Sequence, residues 1–269
     1  MWTIIKRTIR DSYLTFFIYL AVSLLFIWIF VSIFPSFGEM GEKYMDLLKS
    51  YPEGLMKAFG IDSSTPIFGK VESFLSIENF SFMYQILVVG LAVSLASWAI
   101  AGQIEKKTMS VLLSLPLERM DIFIAKYLAN SFLIIVLNAI TIYSIIFFCK
   151  IYDVKYDLPN YDIMFYASTL FSMAVYSLAL FFSALFRDKG KVIFLSVGIT
   201  LVMYAAYIVS GLKENLADLK YGTFFHYYNA AEIFAKGNIS TDTYLVFGGS
   251  IILFSSLALI IFSKRDISV

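Results

Sequence analysis

Six long apolar runs without a single Asp, Glu, Lys, Arg or His constrain the fold of this chain more than any other feature. They cover approximately residues 13–34, 82–101, 127–149, 163–186, 192–210 and 243–263. Each run is long enough to cross a hydrocarbon core as a helix, which takes about 20 residues. A mean hydropathy of +0.78 is typical of a membrane protein. We therefore predict an all-α integral membrane protein with six transmembrane helices in a single domain over residues 1–269.

The distribution of charge predicts the orientation of these spans. Twelve of the 21 Lys and Arg residues and six of the 20 acidic residues lie on the side of the chain termini, which gives that side a net charge of +6. The other side carries −5 by the same count. Lys and Arg in short loops favour the cytoplasm. We expect both termini to be cytoplasmic and residues 35–81, 150–162 and 211–242 to form extracellular loops at the plasma membrane.

Several kinds of chemistry are missing from the sequence. It contains no phosphate-binding loop and no HExxH motif, and its single histidine, His226, has no Cys or His partner at metal-ligand spacing. The spans also lack the ionisable groups on which proton-coupled transport depends. We expect no catalytic residue, no metal site and no bound cofactor in this chain, and nothing in it predicts nucleic-acid binding.

Two groups of residues in the apolar regions have a candidate role. Gly90, Ser94 and Ser97 share one face of the second span, where small residues let helices approach closely. This face is predicted to pack within the chain or in a dimer, or to line a pathway for an amphiphile. Phe224, Phe225 and Tyr228 lie in the loop 211–242. They are predicted to form an extracellular gate or an aromatic belt at the membrane interface.

Two amphipathic stretches flank the first span. Residues 1–12 place apolar and basic side chains at helical spacing, which predicts an N-terminal interfacial helix or simple positive-inside anchoring. Residues 50–59 are predicted to form a short amphipathic helix in the first extracellular loop.

Residues 102–126, between the second and third spans, form the one large connection on the predicted cytoplasmic side. Charged residues begin the segment, an apolar patch follows, and Pro116 then interrupts it. The residue before a proline is biased away from the α conformation, so we predict a short helix, a break and a new helix. Such a helix suits docking of a soluble partner, and a plain charged loop is the alternative.

The spacing of residues in this segment resembles the signature of the ABC type-2 exporter permeases. The residues that carry it are Gly102, Glu105, Thr108, Leu112, Leu113, Pro116 and Arg119, followed by Lys126. Lys107 stands where that family usually has glycine. Pro52, Leu55, Phe59 and Gly60 also resemble a variant of the family.

The resemblance implies the type-2 ABC exporter fold over essentially the whole chain. It implies a coupling helix over residues 102–115, with Glu105 and Arg119 as polar anchors, extracellular helices over 212–235, and a connecting helix over residues 1–12. It also implies a second permease chain, as a homodimer or heterodimer, and two copies of a separate ABC ATPase subunit that holds ATP and Mg²⁺.

We therefore expect a permease subunit that exports hydrophobic or amphipathic cargo, such as a peptide, lipid or drug, from a bacterial or archaeal cell. The chain itself would not be an enzyme. Two alternatives remain open at the level of sequence. One is a gradient-driven secondary transporter or channel, and the other is a membrane scaffold or sensor that transports nothing.

Overall fold

The computed structural model describes residues 1–49, 69–114, 116–235 and 237–265, and every regular element in these ranges is helical. The α-helices are α1 (Trp2–Lys49), α2 (Val71–Leu75), α3 (Met83–Ala99), α4 (Ala101–Glu105), α5 (Met109–Leu113), α6 (Arg119–Ile151), α7 (Pro159–Leu185), α8 (Lys189–Leu212), α9 (Phe224–Tyr227) and α10 (Thr241–Lys264). A π-helical stretch, Ser76–Phe80, continues α2. A 3₁₀ helix, Glu214–Gly222, precedes α9, and a second π-helical stretch, Ala231–Ala235, follows it.

The predicted number of spans fits the described residues. Five helices, α1, α6, α7, α8 and α10, are long and apolar enough to cross a membrane. Val71–Phe80 and Met83–Ala99 are bent by 51° relative to each other and together make a sixth candidate. The prediction of an all-α membrane protein is confirmed.

Side-chain contacts show which segments lie together at each of the two ends of the helical bundle. At the end that we call the termini end, Glu105 contacts Lys189 and Arg119 contacts Arg265. At the opposite, distal end, the indole N–H of Trp28 donates to the Tyr152 hydroxyl at 2.8 Å. The connection between α3 and α6 therefore lies at the same end as the start of α8 and the end of α10.

Helix α1 is longer than the predicted first span. It runs without a break from Trp2 to Lys49, with Pro35 inside it, so residues 1–12 continue directly into the span and the predicted loop from residue 35 begins as helix. The interfacial position of residues 1–12 and the extracellular position of the loop stay predictions. The N-terminal part of α1 has a continuous buried stripe at four-residue spacing, formed by Ile4, Thr8, Ser12, Phe16 and Leu20. Because residues four apart share a helix face, the N-terminal segment and the first span pack as one element, chiefly on α6. The predicted helix over residues 50–59 lies outside the described residues.

Helix α7 lies at the centre of the bundle. It contacts α3, α6, α8 and α10, and its apolar stretch is the most buried among the candidate spans. Its buried positions include the small residues Ala167, Ser168, Ala174 and Ala179, which let neighbouring helices approach closely. By contrast, α8 and α10 keep most of their surface outside the chain's own core.

Buried polar side chains connect the central helices. The Tyr84 hydroxyl of α3 donates to Asn138 Oδ1 of α6 at 2.7 Å, and Asn138 Nδ2 donates to Ser172 Oγ of α7 at 3.0 Å. One turn away, the hydroxyls of Ser168 and Tyr228 are 2.9 Å apart. Polar groups in a bilayer core need partners within the protein, so these bonds fix how the three helices pack.

Candidate coupling site at the termini end

The segment between α3 and α6 begins with a sharp bend. Ile100 leaves the helical conformation, with φ −126° and ψ −64°, and α4 starts at the next residue. The backbone N–H of Ala101 is bonded to Ser183 Oγ of α7 at 3.0 Å. The bend therefore fixes the direction in which α4 leaves the bundle.

Gly102 of the signature lies directly against an aromatic ring. A Cβ atom at this position would be 2.6 Å from Cε3 of Trp98, a distance that real contacts do not allow. The ammonium groups of Lys106 and Lys189 lie 5.2 and 5.5 Å from the centroid of the same indole, within cation–π range. Glycine at residue 102 thus allows Trp98 to connect α4 with the start of α8.

The turn after α4 has a backbone conformation that favours glycine at residue 107, where this chain has lysine. The N–H of Lys107 bonds to Ile104 O and the N–H of Thr108 bonds to Gln103 O, each at 2.9 Å. This pair of bonds is a Schellman motif, which usually has glycine at the residue with positive φ. Lys107 has φ +58°. The backbone therefore forms the turn that glycine would favour, and lysine adopts it with strain.

Replacing Lys107 by glycine is expected to stabilise the protein by about 0.5–1 kcal/mol. The left-handed conformation costs a non-glycine residue roughly 1–2 kcal/mol, and the greater freedom of glycine in the unfolded chain offsets part of the gain. Thermal unfolding in detergent would measure the change. Lys107→Ala is the matched control, because it removes the same side chain but keeps a Cβ atom at φ +58° and gains no such relief. A lower melting temperature for Lys107→Gly than for Lys107→Ala would contradict this explanation.

The predicted coupling helix over residues 102–115 is in fact two short helices, α4 and α5, separated by this turn. In α5, Leu112 is only 3% exposed and Met109 is buried beside it, whereas Val111 is 59% exposed. Leu113 is partly buried against the same core. Leu112 and Leu113 therefore pack against the chain itself, and the exposed apolar position is Val111. The helical spacing of Met109 and Leu112 was the sequence signal for this inward face.

Glu105 binds the N-terminus of α8. Its Oε2 accepts the backbone N–H of Lys189 at 2.7 Å, and Asp188 at the N-cap accepts the N–H of Lys191 at 3.2 Å. Unpaired N–H groups and the helix dipole favour anions at a helix N-terminus. The predicted polar anchor thus joins the coupling segment to the next pair of spans within the same chain.

Arg119 and Arg265 bind C-termini of helices. Arg119 Nη1 donates to the carbonyl of Arg265 and more weakly to that of Ser263, at the end of α10. Arg265 Nη1 donates to the carbonyls of Ala184 and Phe186 at 2.6 and 3.1 Å, at the end of α7. Cations are favoured at these termini. Sequence reasoning missed Arg265, whose one signal was a basic residue directly after the last span.

Lys126, the last residue of the signature, is buried beneath this network. It is 2% exposed, and its Nζ donates to Gln103 Oε1 of α4. This bond connects α4 to α6, a link that the sequence did not predict because nothing marks Gln103 out. Pro116 is exposed in the break between α5 and α6, as predicted, since α5 ends at Leu113 and α6 starts at Arg119.

The small residues of the second span serve at least partly in packing within the chain. A Cβ on Gly90 would be 2.7 Å from the Tyr19 hydroxyl of α1, so glycine permits this contact. Ser97 is fully buried and donates to the carbonyl of Ser94 at 3.0 Å. A role of this face in a dimer or pathway stays a prediction.

The three predicted gate residues are buried in an aromatic cluster at the distal end. Tyr228 stacks on Phe171 of α7, with ring centroids 4.8 Å apart, and Phe225 contacts Tyr204 of α8 at 5.0 Å. Phe224 lies 5.9 Å from Phe247 of α10. The cluster closes the space among these helices within one chain, and its function as a gate stays a prediction.

His226 lies at the edge of this cluster. Its ring makes edge contacts with Tyr221 and Tyr227, and burial together with nearby Lys220 lowers the pKa of His226 below its usual value. This shift favours the neutral imidazole. In the part of the chain that the structure describes, no three His, Cys, Asp or Glu residues come together as metal ligands would.

Replacing Tyr228 by phenylalanine is expected to destabilise the protein by about 1–3 kcal/mol. The change keeps the stacking on Phe171 but removes the hydroxyl that pairs with Ser168 in a buried site. Thermal unfolding would report the loss. Tyr221→Phe is the matched control, since Tyr221 is more than half exposed. Equal melting temperatures for the two variants would contradict a structural role for the hydroxyl.

The fold is that of a multi-pass helical membrane protein, and the charged side chains that bind the ends of helices are concentrated at the termini end. Residues 2–267 match the family model described as ABC-2 family transporter protein. The chain therefore belongs to the ABC-2 transporter family, and the predicted relation to the type-2 permeases is confirmed. A comparison with curated proteins gives no match. Membership implies an ABC exporter permease, the transport subunit, with an ABC ATPase as its partner.

Proposed function

We propose that this chain couples ATP hydrolysis by a separate ATPase subunit to export of hydrophobic or amphipathic cargo, through the segment α4–α5. One observation carries the proposal: α4 is bonded to two membrane helices, and one of these is bonded to a third. Gln103 and Glu105 of α4 bind α6 and α8, and Arg119, the first residue of α6, binds α10. A movement of this segment would therefore be transmitted to most of the bundle.

The charge distribution supports a cytoplasmic position for this segment. The termini end carries most of the Lys and Arg residues, and short loops rich in these residues favour the cytoplasm. Val111, Lys106 and Lys107 are exposed there and offer an apolar contact flanked by positive charge to a soluble partner. Two permease chains would each bind one ATPase subunit.

In this mechanism, ATP closes the two ATPase subunits, and each moves α4 and α5 of the permease that it holds. The Schellman turn at Lys107 and the buried Lys126 keep the two short helices rigid relative to α6. The bonds of Glu105 and Arg119 transmit the displacement to the ends of α8 and α10. The transport path between two permeases then opens to the outside.

Affinity purification of the tagged chain from native membranes, followed by an ATPase assay, tests this proposal. We expect a second polypeptide with a phosphate-binding loop and vanadate-sensitive hydrolysis. A chain that purifies without an ATPase under gentle conditions, and moves solutes when only an ion gradient is imposed, would favour a secondary transporter. Ligand-dependent signalling without flux would favour a scaffold or sensor.

A further inference from the structure

A groove between α3 and α8 contains a polar atom that no other part of the described chain satisfies. The groove has a volume of about 390 Å³, and its walls are almost wholly apolar. Its lining includes Phe82, Ile86, Val89, Val197, Leu201 and Tyr204. This volume lies within the range of about 300–1,000 Å³ that is usual for small-molecule sites.

Gln85 lines this groove and is 5% exposed, and its Oε1 has no hydrogen-bond partner. A carbonyl oxygen of an amide can only accept a hydrogen bond, so it needs a donor from another group. Asn130 Oδ1 is likewise a buried and unpaired amide oxygen, but Asn130 does not line the groove. The unpaired serine and threonine hydroxyls of the spans differ, because a hydroxyl on a helix can rotate toward the carbonyl of the preceding turn. Leaving an acceptor buried and unpaired costs about 1–3 kcal/mol.

Two other polar side chains line the groove, Thr200 and Tyr204, and neither hydroxyl donates to Gln85. The Thr200 hydroxyl donates to the carbonyl of Ser196 at 2.7 Å, within its own helix. The surrounding side chains are aliphatic or aromatic, so they hold an apolar body but offer it few polar contacts. Among the polar side chains of the described walls, Gln85 is the one with a buried acceptor oxygen that has no donor, so a molecule seated in the groove would meet this oxygen unpaired.

We propose that this groove binds the transported amphiphile and selects molecules that carry an N–H or O–H donor on an apolar body. The inference rests on the proposed function, since it assigns a substrate class to that permease. The acyl chains of bulk lipid would also fit the walls, but they carry no donor that could satisfy Gln85. A site built around a buried acceptor rejects an analogue without the donor, because binding it leaves the acceptor unpaired.

A matched pair of photoreactive probes tests this proposal on the full chain in lipid nanodiscs. Both probes are alkyl amides with a diazirine on the alkyl chain, and one has its amide nitrogen methylated so that it cannot donate. We expect the N–H probe to label peptides from α3 and α8 about three- to tenfold more than its methylated partner, which corresponds to one hydrogen bond.

Three variants locate the effect. Gln85→Leu is expected to make labelling by the two probes equal, whereas Ser131→Ala, which alters another unpaired buried hydroxyl away from the groove, keeps the preference. Val197→Trp fills the groove and is expected to reduce labelling by both probes. Equal labelling of the wild-type chain would show that the groove holds acyl chains without selection and would overturn the proposal. A preference that survives in Gln85→Leu would also overturn it.

The experiment separates this proposal from the proposed function. Labelling requires neither ATP nor the ATPase subunit, so a failure here concerns the groove alone. Failure to capture an ATPase in the purification experiment would instead contradict ATP-driven export and leave the labelling result unchanged.

Discussion

Replacing Val111 by aspartate is expected to abolish capture of the ATPase subunit while the membrane chain keeps its fold. Val111 is 59% exposed on α5, at the end of the bundle where the coupling segment lies. Burial of a valine side chain in an interface contributes about 1.5–3 kcal/mol, and a carboxylate at the same position must also be desolvated. We therefore expect at least a tenfold loss of ATPase in affinity purification from membranes.

The neighbouring residue, Leu112, is expected to respond differently to the same substitution. Leu112 is one position away but buried, so Leu112→Asp places an unpaired charge in the chain's own core and is expected to lower the melting temperature of the permease itself. Leu219→Asp makes the same chemical change at an exposed position of the distal end and should leave capture unchanged. ATPase capture at the wild-type level by Val111→Asp would place the contact elsewhere on the molecule.

This contrast shows how far the sequence predicts the site. Pro116 marked the break between α5 and α6. The sequence does not show which side chains of the apolar patch, which includes Val111, Leu112 and Leu113, face outward. Three apolar residues in a row cannot all face one side of a helix that has 3.6 residues per turn, and only the packing of the other helices decides which side is covered.

The roles of Glu105 and Arg119 were harder to predict for a different reason. The resemblance implies that both are polar anchors of the coupling helix, and the structure shows them bonded to ends of helices in the same chain. Charged side chains at the ends of helices bind whichever unpaired backbone groups come near them. The positions of those groups depend on how α8 and α10 pack against α7, and a sequence motif does not contain that information.

The length of α1 has a similar origin. Pro35 near the end of the apolar run indicated a boundary, yet the helix passes through it. Over the first turns, the buried stripe from Ile4 to Leu20, which packs chiefly on α6, joins the basic N-terminal segment to the span. Because tertiary packing supplies most helical stability, helix ends are less predictable than the existence of the span.

Reversing the charge at Arg119 is expected to separate ATP hydrolysis from transport. In Arg119→Glu, the two bonds to the carbonyls of Arg265 and Ser263 are lost, and a carboxylate faces the negative end of the α10 dipole. Hydrogen bonds to charged groups contribute roughly 1.5–3 kcal/mol each. We expect the ATPase subunit to bind and hydrolyse ATP, while the amount of cargo exported per ATP falls at least tenfold.

The rates of ATP hydrolysis and of cargo export, measured on the same reconstituted complex, check this expectation. A merely unfolded permease would lose binding of the ATPase subunit as well. Arg119→Lys is the matched variant. It keeps the positive charge at the end of α10 but not the planar guanidinium, so an intermediate ratio is expected. Met120→Ala changes the exposed neighbour and should leave the ratio unchanged. Export at the wild-type ratio by Arg119→Glu would show that force reaches the bundle without this contact, and Glu105 at α8 or Gln103 at α6 would then be the residues that transmit it.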